Sequence, residues 1–357
     1  MDYHRLALRA GTGLVAFAIV LRFLGTTGFS PMAAMLQRPD VLSSLIYLQT
    51  GRLVSAATLP EEEDTQQKPE WTNPSELPTE ETVPAMPPES VPVETEPDPV
   101  WQEVFSPADM QSIAVTYGCP FRPDLENLLL TGISWNLTVP EPTVLIVHTH
   151  ATECYTPAAG EHYAESGSYR TLDEHYNMVS IGDEIARVLE AGGISVLHDR
   201  AYHDYPSYNS AYSSSRASVE GYLAQYPSIR LVLDIHRDAS GGTAGQLTTW
   251  ATVDGEASSQ LMLVVGTHSE EAPHENWQQN LSLALKLHAL LQRENPGICR
   301  PVNLRDWRFN QDLTAGSLLI EVGAAGDSHQ QALTAARALA EGILALARGA
   351  STANSTI

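Results

Sequence analysis

Basic residues are scarce in this 357-residue chain, which has 20 Lys and Arg against 43 Asp and Glu and a formal net charge of −23. No long run of Lys or Arg occurs. Binding to nucleic acid irrespective of sequence requires clustered basic residues, so the composition argues against a nucleic-acid partner. Cysteine is also scarce: the three cysteines are an odd number without CxxC spacing, which does not indicate a disulfide framework.

The acidic charge is concentrated in one segment. Residues 60–103 carry thirteen Asp and Glu against one Lys, together with ten prolines. Such a segment has too few large apolar residues to fold, and its like charges keep it extended. We therefore predict a disordered Pro/Glu-rich linker over residues 57–103.

The N-terminus has the pattern of a membrane anchor. Arg5 and Arg9 precede the apolar run Gly11–Leu21. Basic residues before an apolar run are typical of a signal anchor, or a signal peptide, whose N-terminus lies inside. We predict a cytoplasmic N-terminus and single-pass anchor in the cell membrane over residues 1–30, and an amphipathic helix over residues 31–56. The domain that follows would then be extracytoplasmic, and whether the anchor is cleaved stays open.

Residues 104–350 alternate short apolar runs with segments of helical periodicity. The apolar runs are Val144–Val147, Ile194–Leu197, Leu231–Ile235, Leu261–Val265 and Leu318–Ile320, and the helical segments are 178–191, 217–226, 277–291 and 330–346. This alternation predicts an α/β domain with a largely parallel central sheet flanked by helices. Such sheets bind ligands at the carboxyl ends of their strands.

Polar residues follow three of the predicted strands. The first strand runs into His148–Glu153, the third into His236–Asp238 and the fifth into Glu321–Gly323. Because the carboxyl ends of parallel strands converge, residues that are distant in the sequence can share one site there. The sequence therefore predicts a functional site at this edge of the sheet.

The residue types in these clusters indicate metal-assisted hydrolysis. His150 and Glu153 form an H-x-x-E pair, and His236 would complete a two-His, one-Glu catalytic zinc set. Zinc lowers the pKa of water and polarises a scissile carbonyl. Glu321 ends an apolar strand, where an acidic residue is costly without a function. We predict that Glu321 is the general acid/base.

The histidine assignment leaves an alternative. Either His148 or His150 could bind the metal; the spacing to Glu153 favours His150, and His148 and Arg237 would then support the ligands. The His- and Asp-containing segment 198–204 could form a rival metal site, but a loop held by local hydrogen bonds is the better interpretation.

Substrate contacts are predicted from one segment. Residues 303–311 mix Arg, Asn and aromatic residues on a predicted loop. Arg305 or Arg308 could bind a substrate carboxylate bidentately. Surface ion pairs of the same arginines are an equal alternative.

Five segments carry a family resemblance. They are Leu145–Glu153, Tyr176–Val179, Asp234–Asp238, Arg308–Leu313 and Leu319–Gly323. Together, in order and spacing, they resemble the stage II sporulation protein P family over roughly residues 115–345. The predicted anchor and acidic linker also fit the layout of that family, which is similar to zinc N-acetylmuramoyl-L-alanine amidases.

The resemblance implies that peptidoglycan is the substrate, cut between the lactyl group of muramic acid and L-alanine, with endopeptidase cutting of cross-links as a further activity. It also implies septal wall remodelling and engulfment during sporulation, with the membrane and the stage II sporulation proteins D and M as partners. The implied zinc ligands are His150, Glu153 and His236, and the implied acid/base is Glu321. General amidases of this fold carry a ligand Glu at the start of the first helix, where this chain has Tyr176-Asn177-Met178.

Two other functions stay open. A zinc carboxypeptidase that trims stem peptides would use the same metal chemistry and would need Arg305 or Arg308 for the free carboxylate. A non-enzymatic, membrane-anchored scaffold that binds the wall predicts that Glu321→Gln is harmless. The complete ligand set argues against the scaffold.

Overall fold

A seven-stranded sheet lies at the centre of the part of the chain that the structure, a computed structural model, describes. That part comprises residues 98–133, 135–239, 241–242, 245–269 and 272–355. The predicted anchor over residues 1–30, the predicted amphipathic helix over residues 31–56 and the predicted linker up to residue 97 lie outside it. Among the described residues, no helix has the length and apolar character that crossing a membrane requires.

Strands and helices alternate along the described residues. The strands are β1 (Val115–Gly118), β2 (Val144–Val147), β3 (Glu165–Gly167), β4 (Arg170–Thr171), β5 (Val196–His198), β6 (Leu231–Asp238), β7 (Gly241–Gly242), β8 (Gly245–Gln246), β9 (Ala251–Val253), β10 (Glu256–Ser258), β11 (Leu261–Gly266), β12 (Val302–Arg305) and β13 (Ser317–Ala324). The helices are α1 (Pro99–Val104), α2 (Pro107–Ser112), α3 (Leu125–Leu130), α4 (Met178–Ala191), α5 (Ala211–Gln225), α6 (Trp277–Glu294) and α7 (His329–Ser355). Short 3₁₀ helices cover Tyr208–Ser210 and Gln311–Leu313.

The central sheet has the order β1-β12-β11-β13-β6-β2-β5. Five of its six neighbouring pairs are parallel, and β11–β13 is antiparallel. The predicted largely parallel α/β sheet is therefore confirmed. However, β5, β2, β6 and β13 run in one direction and β11, β12 and β1 run in the other. The carboxyl ends of β2, β6 and β13 meet at one edge, whereas those of β11 and β12 lie at the opposite edge.

Both faces of the sheet are covered, which explains the wholly apolar β2. Val144 and Ile146 belong to the main core with residues of α4, α6 and α7. Leu145 and Val147 pack in a second cluster with Val219 of α5. Alternate residues of a strand point to opposite faces, so a strand buried on both sides requires a continuous apolar run.

The predicted elements differ from the observed ones mainly at their ends. The helix predicted over 178–191 has those bounds, and Asn177 caps it by accepting a hydrogen bond from Val179 N. Helix α5 begins six residues before its predicted start. Strand β13 continues past its predicted end, so Glu321 lies inside the strand rather than beyond it.

Helix α1 falls within the residues that the sequence assigned to the linker, and this part of the assignment is corrected. Trp101 is fully buried and stacks on Phe105 with ring centroids 5.6 Å apart. Gly349 of α7 permits this packing, since a Cβ there would overlap the indole ring. One aromatic side chain thus attaches the end of an otherwise polar segment to the folded domain.

Candidate metal centre

Three of the predicted site residues meet at the edge where β2, β6 and β13 end. Ligand atoms of His150, Glu153 and His236 all lie within 4.8 Å of one another. His150 Nδ1 is 3.6 Å from Glu153 Oε1, and His236 Nδ1 is 3.6 Å from Glu153 Oε2. Of the residues that the structure describes, no other group of three or more His, Cys, Asp or Glu residues could hold a metal ion.

The turn after β2 decides between the two histidines. The strand ends at Val147, so the alternation of side chains does not continue. His148 is buried, with Nδ1 3.0 Å from the carbonyl oxygen of Ile235 and Nε2 2.8 Å from His198 Nε2. His150 instead faces His236, with ring centroids 5.0 Å apart. The structure therefore brings His150, and not His148, to the cluster.

His236 is oriented by a buried carboxylate. Its Nε2 lies 2.9 Å from Asp234 Oδ1. This contact is an ion pair without hydrogen-bond alignment. Asp234 itself is held by hydrogen bonds from Thr149, at 2.8 Å from the backbone N and 2.6 Å from Oγ1. Burial opposes protonation of His236, but Asp234 and Glu153 outweigh burial and hold its pKa well above the usual value. A carboxylate behind a histidine whose other nitrogen faces the ligand cluster is the usual support of a metal-binding histidine.

Glu153 is ionised because it lies between arginines. Burial would raise its pKa, but the charge of Arg237 and the nearby His236 ring hold the pKa far below its ordinary value. Arg237 Nη1 is 3.5 Å from Glu153 Oε1, and its other guanidinium nitrogens donate to the carbonyl oxygens of Cys154 and Tyr169. The predicted position of Arg237 beside a ligand agrees with these contacts.

Glu321 lies beside the cluster. It pairs in register with His236 on the neighbouring parallel strand, so the two side chains point to the same face. Its Oε2 is enclosed and has no hydrogen-bond partner. Burial raises the pKa of Glu321 to about 8, with Glu153 adding to the effect and His236 opposing it. Near neutral pH this carboxyl can therefore both hold and release a proton.

The two predicted substrate arginines are not part of this cluster. Residues 303–305 belong to β12, which corrects the predicted loop. Glu321 is in register with Met262, and Arg305 is in register with Gly266, four residues further along β11. Along the strand direction, Arg305 is therefore about 13 Å from Glu321. Perpendicular to the strands the two residues are two strands apart, which is about 10 Å. Because β12 runs against β13, its carboxyl end lies at the opposite edge of the sheet.

Arg308 follows β12 and takes part in an ion pair. Its Nη1 is 3.9 Å from Asp312 Oδ2, and its side chain is 38% exposed. This contact matches the alternative of a surface ion pair rather than a place among the metal-site residues.

The rival histidine segment forms a hydrogen-bonded loop. His203 Nε2 is 3.0 Å from Asp199 Oδ2, and Asp204 accepts hydrogen bonds from Thr152. At the start of α4, the side chain of Asn177 donates to the carbonyl oxygen of Thr171 in addition to capping the helix. The helix start therefore has a capping residue where general amidases are expected to have a ligand.

Three residues of the site were missed in the sequence. Asp234 is an ionisable residue inside an apolar strand, and that position could have signalled its role. Arg170 pairs with Glu153, and Tyr208 stacks on His150 with ring centroids 4.8 Å apart. Neither of these two belongs to a motif, since tertiary contacts alone bring them to the site.

The fold and the site together define an α/β protein with a candidate catalytic metal centre of two histidines and one glutamate. The family model of stage II sporulation protein P (SpoIIP) matches residues 50–344. The chain belongs to the stage II sporulation protein P family.

Individual relatives show how far the similarity extends. The stage II sporulation protein P of Bacillus subtilis (strain 168) is 28% identical over 209 residues, which cover 56% of this chain and 49% of that protein. The chain thus spans about half the length of this curated relative. The N-acetylmuramoyl-L-alanine amidase AmiC2 of Nostoc punctiforme is similar with a TM-score of 0.36 and 14% identity, covering 58% of this chain and 97% of the other. The N-acetylmuramyl-L-alanine amidase Ami1 of Mycobacterium smegmatis has a TM-score of 0.36 and 14% identity, covering 62% and 100%.

Proposed function

We propose that this protein is a zinc-dependent N-acetylmuramoyl-L-alanine amidase that hydrolyses peptidoglycan, with endopeptidase cutting of cross-links as a further activity. The observation that carries the proposal is the convergence of His150, Glu153 and His236 beside Glu321, whose buried Oε2 has no hydrogen-bond partner. Membership of the stage II sporulation protein P family supports this reading.

The donor set fits zinc. Two imidazole nitrogens and one carboxylate oxygen are a common catalytic zinc set, and Asp234 already directs Nδ1 of His236 toward the cluster. His150, Glu153 and His236 would hold the ion. A bound zinc ion supplies Lewis acidity, which makes water more acidic and polarises the amide carbonyl.

The remaining chemistry belongs to Glu321. Its enclosed Oε2 would take the proton of the attacking water and return it to the leaving amine. A pKa raised by burial suits both steps, because the group is neither a permanent anion nor a permanent acid near neutral pH. Arg237 keeps Glu153 ionised, and Asp234 keeps His236 oriented, so neither ligand competes for this proton transfer.

The cellular setting is part of the proposal. We propose that residues 1–30 anchor the protein in the cell membrane, with the catalytic domain outside the cytoplasm. Peptidoglycan at the sporulation septum would then be remodelled during engulfment, with the stage II sporulation proteins D and M as partners. Family membership supports the sporulation setting.

The test measures zinc content and products from intact peptidoglycan for wild type, His150→Ala and Glu321→Gln. We expect about one bound zinc in wild type, loss of zinc in His150→Ala, and retained zinc with activity lowered about 10²–10⁴-fold in Glu321→Gln. Release of glycan strands free of peptide identifies the amidase, whereas loss of only terminal amino acids identifies a carboxypeptidase. Normal cleavage by Glu321→Gln would remove the acid/base assignment, and a wild type without zinc or cleavage would favour the scaffold.

A further inference from the structure

The β3–β4 hairpin lies against the chain segment that carries Glu153. Arg170 forms an antiparallel backbone bridge with Glu153, and Thr171 N donates to the carbonyl oxygen of Thr152 at 2.8 Å. The turn of the hairpin holds Tyr169 at a φ of 52°, a left-handed conformation that side-chain-bearing residues rarely adopt. These contacts fix the hairpin so that Arg170 is directly opposite Glu153.

The side chain of Arg170 contacts the candidate ligand Glu153 and also reaches Asp204 and Tyr208. Its Nη2 is 3.3 Å from Glu153 Oε1, and its Nη1 is 2.6 Å from Asp204 Oδ2. Its guanidinium carbon lies 4.6 Å from the centroid of the Tyr208 ring, and that ring stacks on His150. One guanidinium group thus contacts a ligand directly and contacts the aromatic ring that covers a second ligand.

We infer that Arg170 is a positioning residue that holds Glu153 and, through Tyr208, His150 in the arrangement that binds the metal ion. This inference rests on the proposed function. Arg170 is not assigned to substrate, because Asp204 and Glu153 already engage two of its nitrogens and its side chain is only 20% exposed.

The charges around Arg170 determine whether its loss strengthens or weakens zinc binding. A cation beside the centre would by itself weaken zinc binding. The carboxylate of Asp204 at 2.6 Å neutralises most of this field, since the pair acts as a dipole at the distance of the ligand atoms. The remaining effect of Arg170 is to orient Glu153, because its planar guanidinium group reaches two acceptors at once. Lysine cannot reproduce this geometry. Loss of Arg170 should therefore weaken metal binding.

The test measures zinc affinity of the full-length protein by competition with a chromophoric chelator, alongside urea unfolding of the metal-free protein. The variants are Arg170→Ala and Arg170→Lys, and the latter serves if the alanine variant does not fold. Arg200→Ala is the matched control, because Arg200 forms two ion pairs, with Asp183 and Glu174, that do not include a ligand. We expect about 10–100-fold weaker zinc binding for Arg170→Ala and weaker binding than wild type for Arg170→Lys. Arg200→Ala should keep wild-type affinity, and metal-free Arg170→Lys should unfold at the wild-type midpoint.

Each outcome is decisive. Wild-type zinc affinity in either Arg170 variant would overturn the inference, because the planar guanidinium group would then not be what positions Glu153. If Arg170→Lys lowers both the zinc affinity and the urea unfolding midpoint of the metal-free protein, the inference is also overturned, because Arg170 would then be a purely structural residue of the hairpin. If wild type itself binds no zinc, the proposed function fails, which is distinct from failure of the role of Arg170 alone.

Discussion

Replacing Glu321 with Gln is expected to stabilise the metal-free protein at alkaline pH although it strongly lowers the activity of the zinc-loaded protein. Burial raises the pKa of Glu321 from 4.5 to about 8, although His236 opposes the effect. Between these two pH values the folded protein retains a proton that the unfolded chain releases. The folded state then binds more protons than the unfolded state, so this group makes stability fall as the pH rises through that window.

The size of this stability change follows from the pKa shift of Glu321. Each pKa unit corresponds to about 1.4 kcal/mol, so a rise from 4.5 to about 8 amounts to at most about 5 kcal/mol. The residue as a whole keeps partial exposure, although its Oε2 is enclosed. Water near the exposed part reduces the effect, so Glu321→Gln is expected to be more stable than wild type by about 2–4 kcal/mol at pH 8.5. Gln is isosteric with the protonated acid, so the two proteins should differ by less than about 1 kcal/mol at pH 5.

Urea unfolding of metal-free wild type and Glu321→Gln at pH 5 and pH 8.5 measures this difference. Burial lowers the pKa of several histidines, which also makes stability depend on pH, but these residues are common to both proteins and largely cancel in the comparison. Glu341→Gln is the matched control, because Glu341 is exposed on α7 and its replacement should change stability by less than about 0.5 kcal/mol. A difference between wild type and Glu321→Gln that is the same at both pH values would refute the reasoning, since the carboxyl would then not be held neutral by burial.

Two further predictions concern the domain boundary and the support of the metal ligands. Trp101→Ala should destabilise the protein by about 3–5 kcal/mol in thermal or urea unfolding, because it empties a fully buried site. An unchanged unfolding midpoint would contradict the assignment of α1 to the folded domain. Asp234→Asn should weaken zinc binding about 10–100-fold in a chelator competition, because His236 loses the carboxylate that orients it. Asp254→Asn, in an exposed turn, is its control, and equal affinities in the two variants would contradict the role of Asp234.

The convergence of the candidate ligands could be predicted from the sequence because β2, β6 and β13 are locally recognisable. Each is an apolar run buried on both faces, and each passes directly into polar residues. Parallel neighbours bring such ends together whatever the order of the other strands. The prediction therefore needed only the direction of three strands, and the structure confirms that His150, Glu153, His236 and Glu321 are neighbours.

The position of Arg305 could not be predicted in the same way. A parallel strand and a strand that runs against its neighbour have the same local pattern, and the sheet order is a global property. The antiparallel pairing of β11 with β13 reverses the edge at which β12 ends. Arg170 was missed for a related reason, because the β3–β4 hairpin has only short strands and is held by contacts with the segment that it supports.

The register of β13 itself explains why Glu321 lies where it can act. Gly323 adopts a φ of 72°, and a Cβ there would overlap Ser259 and Asp327. The pairing of β13 with β6 is in register as far as Glu321 and His236 and is irregular from there to Ala324. Glu321 therefore occupies the last regular position beside a ligand, where the strands still align the two side chains before their register shifts. A residue with a side chain at position 323 would shift this break, so the placement of the acid/base depends on a glycine that itself carries no chemical group.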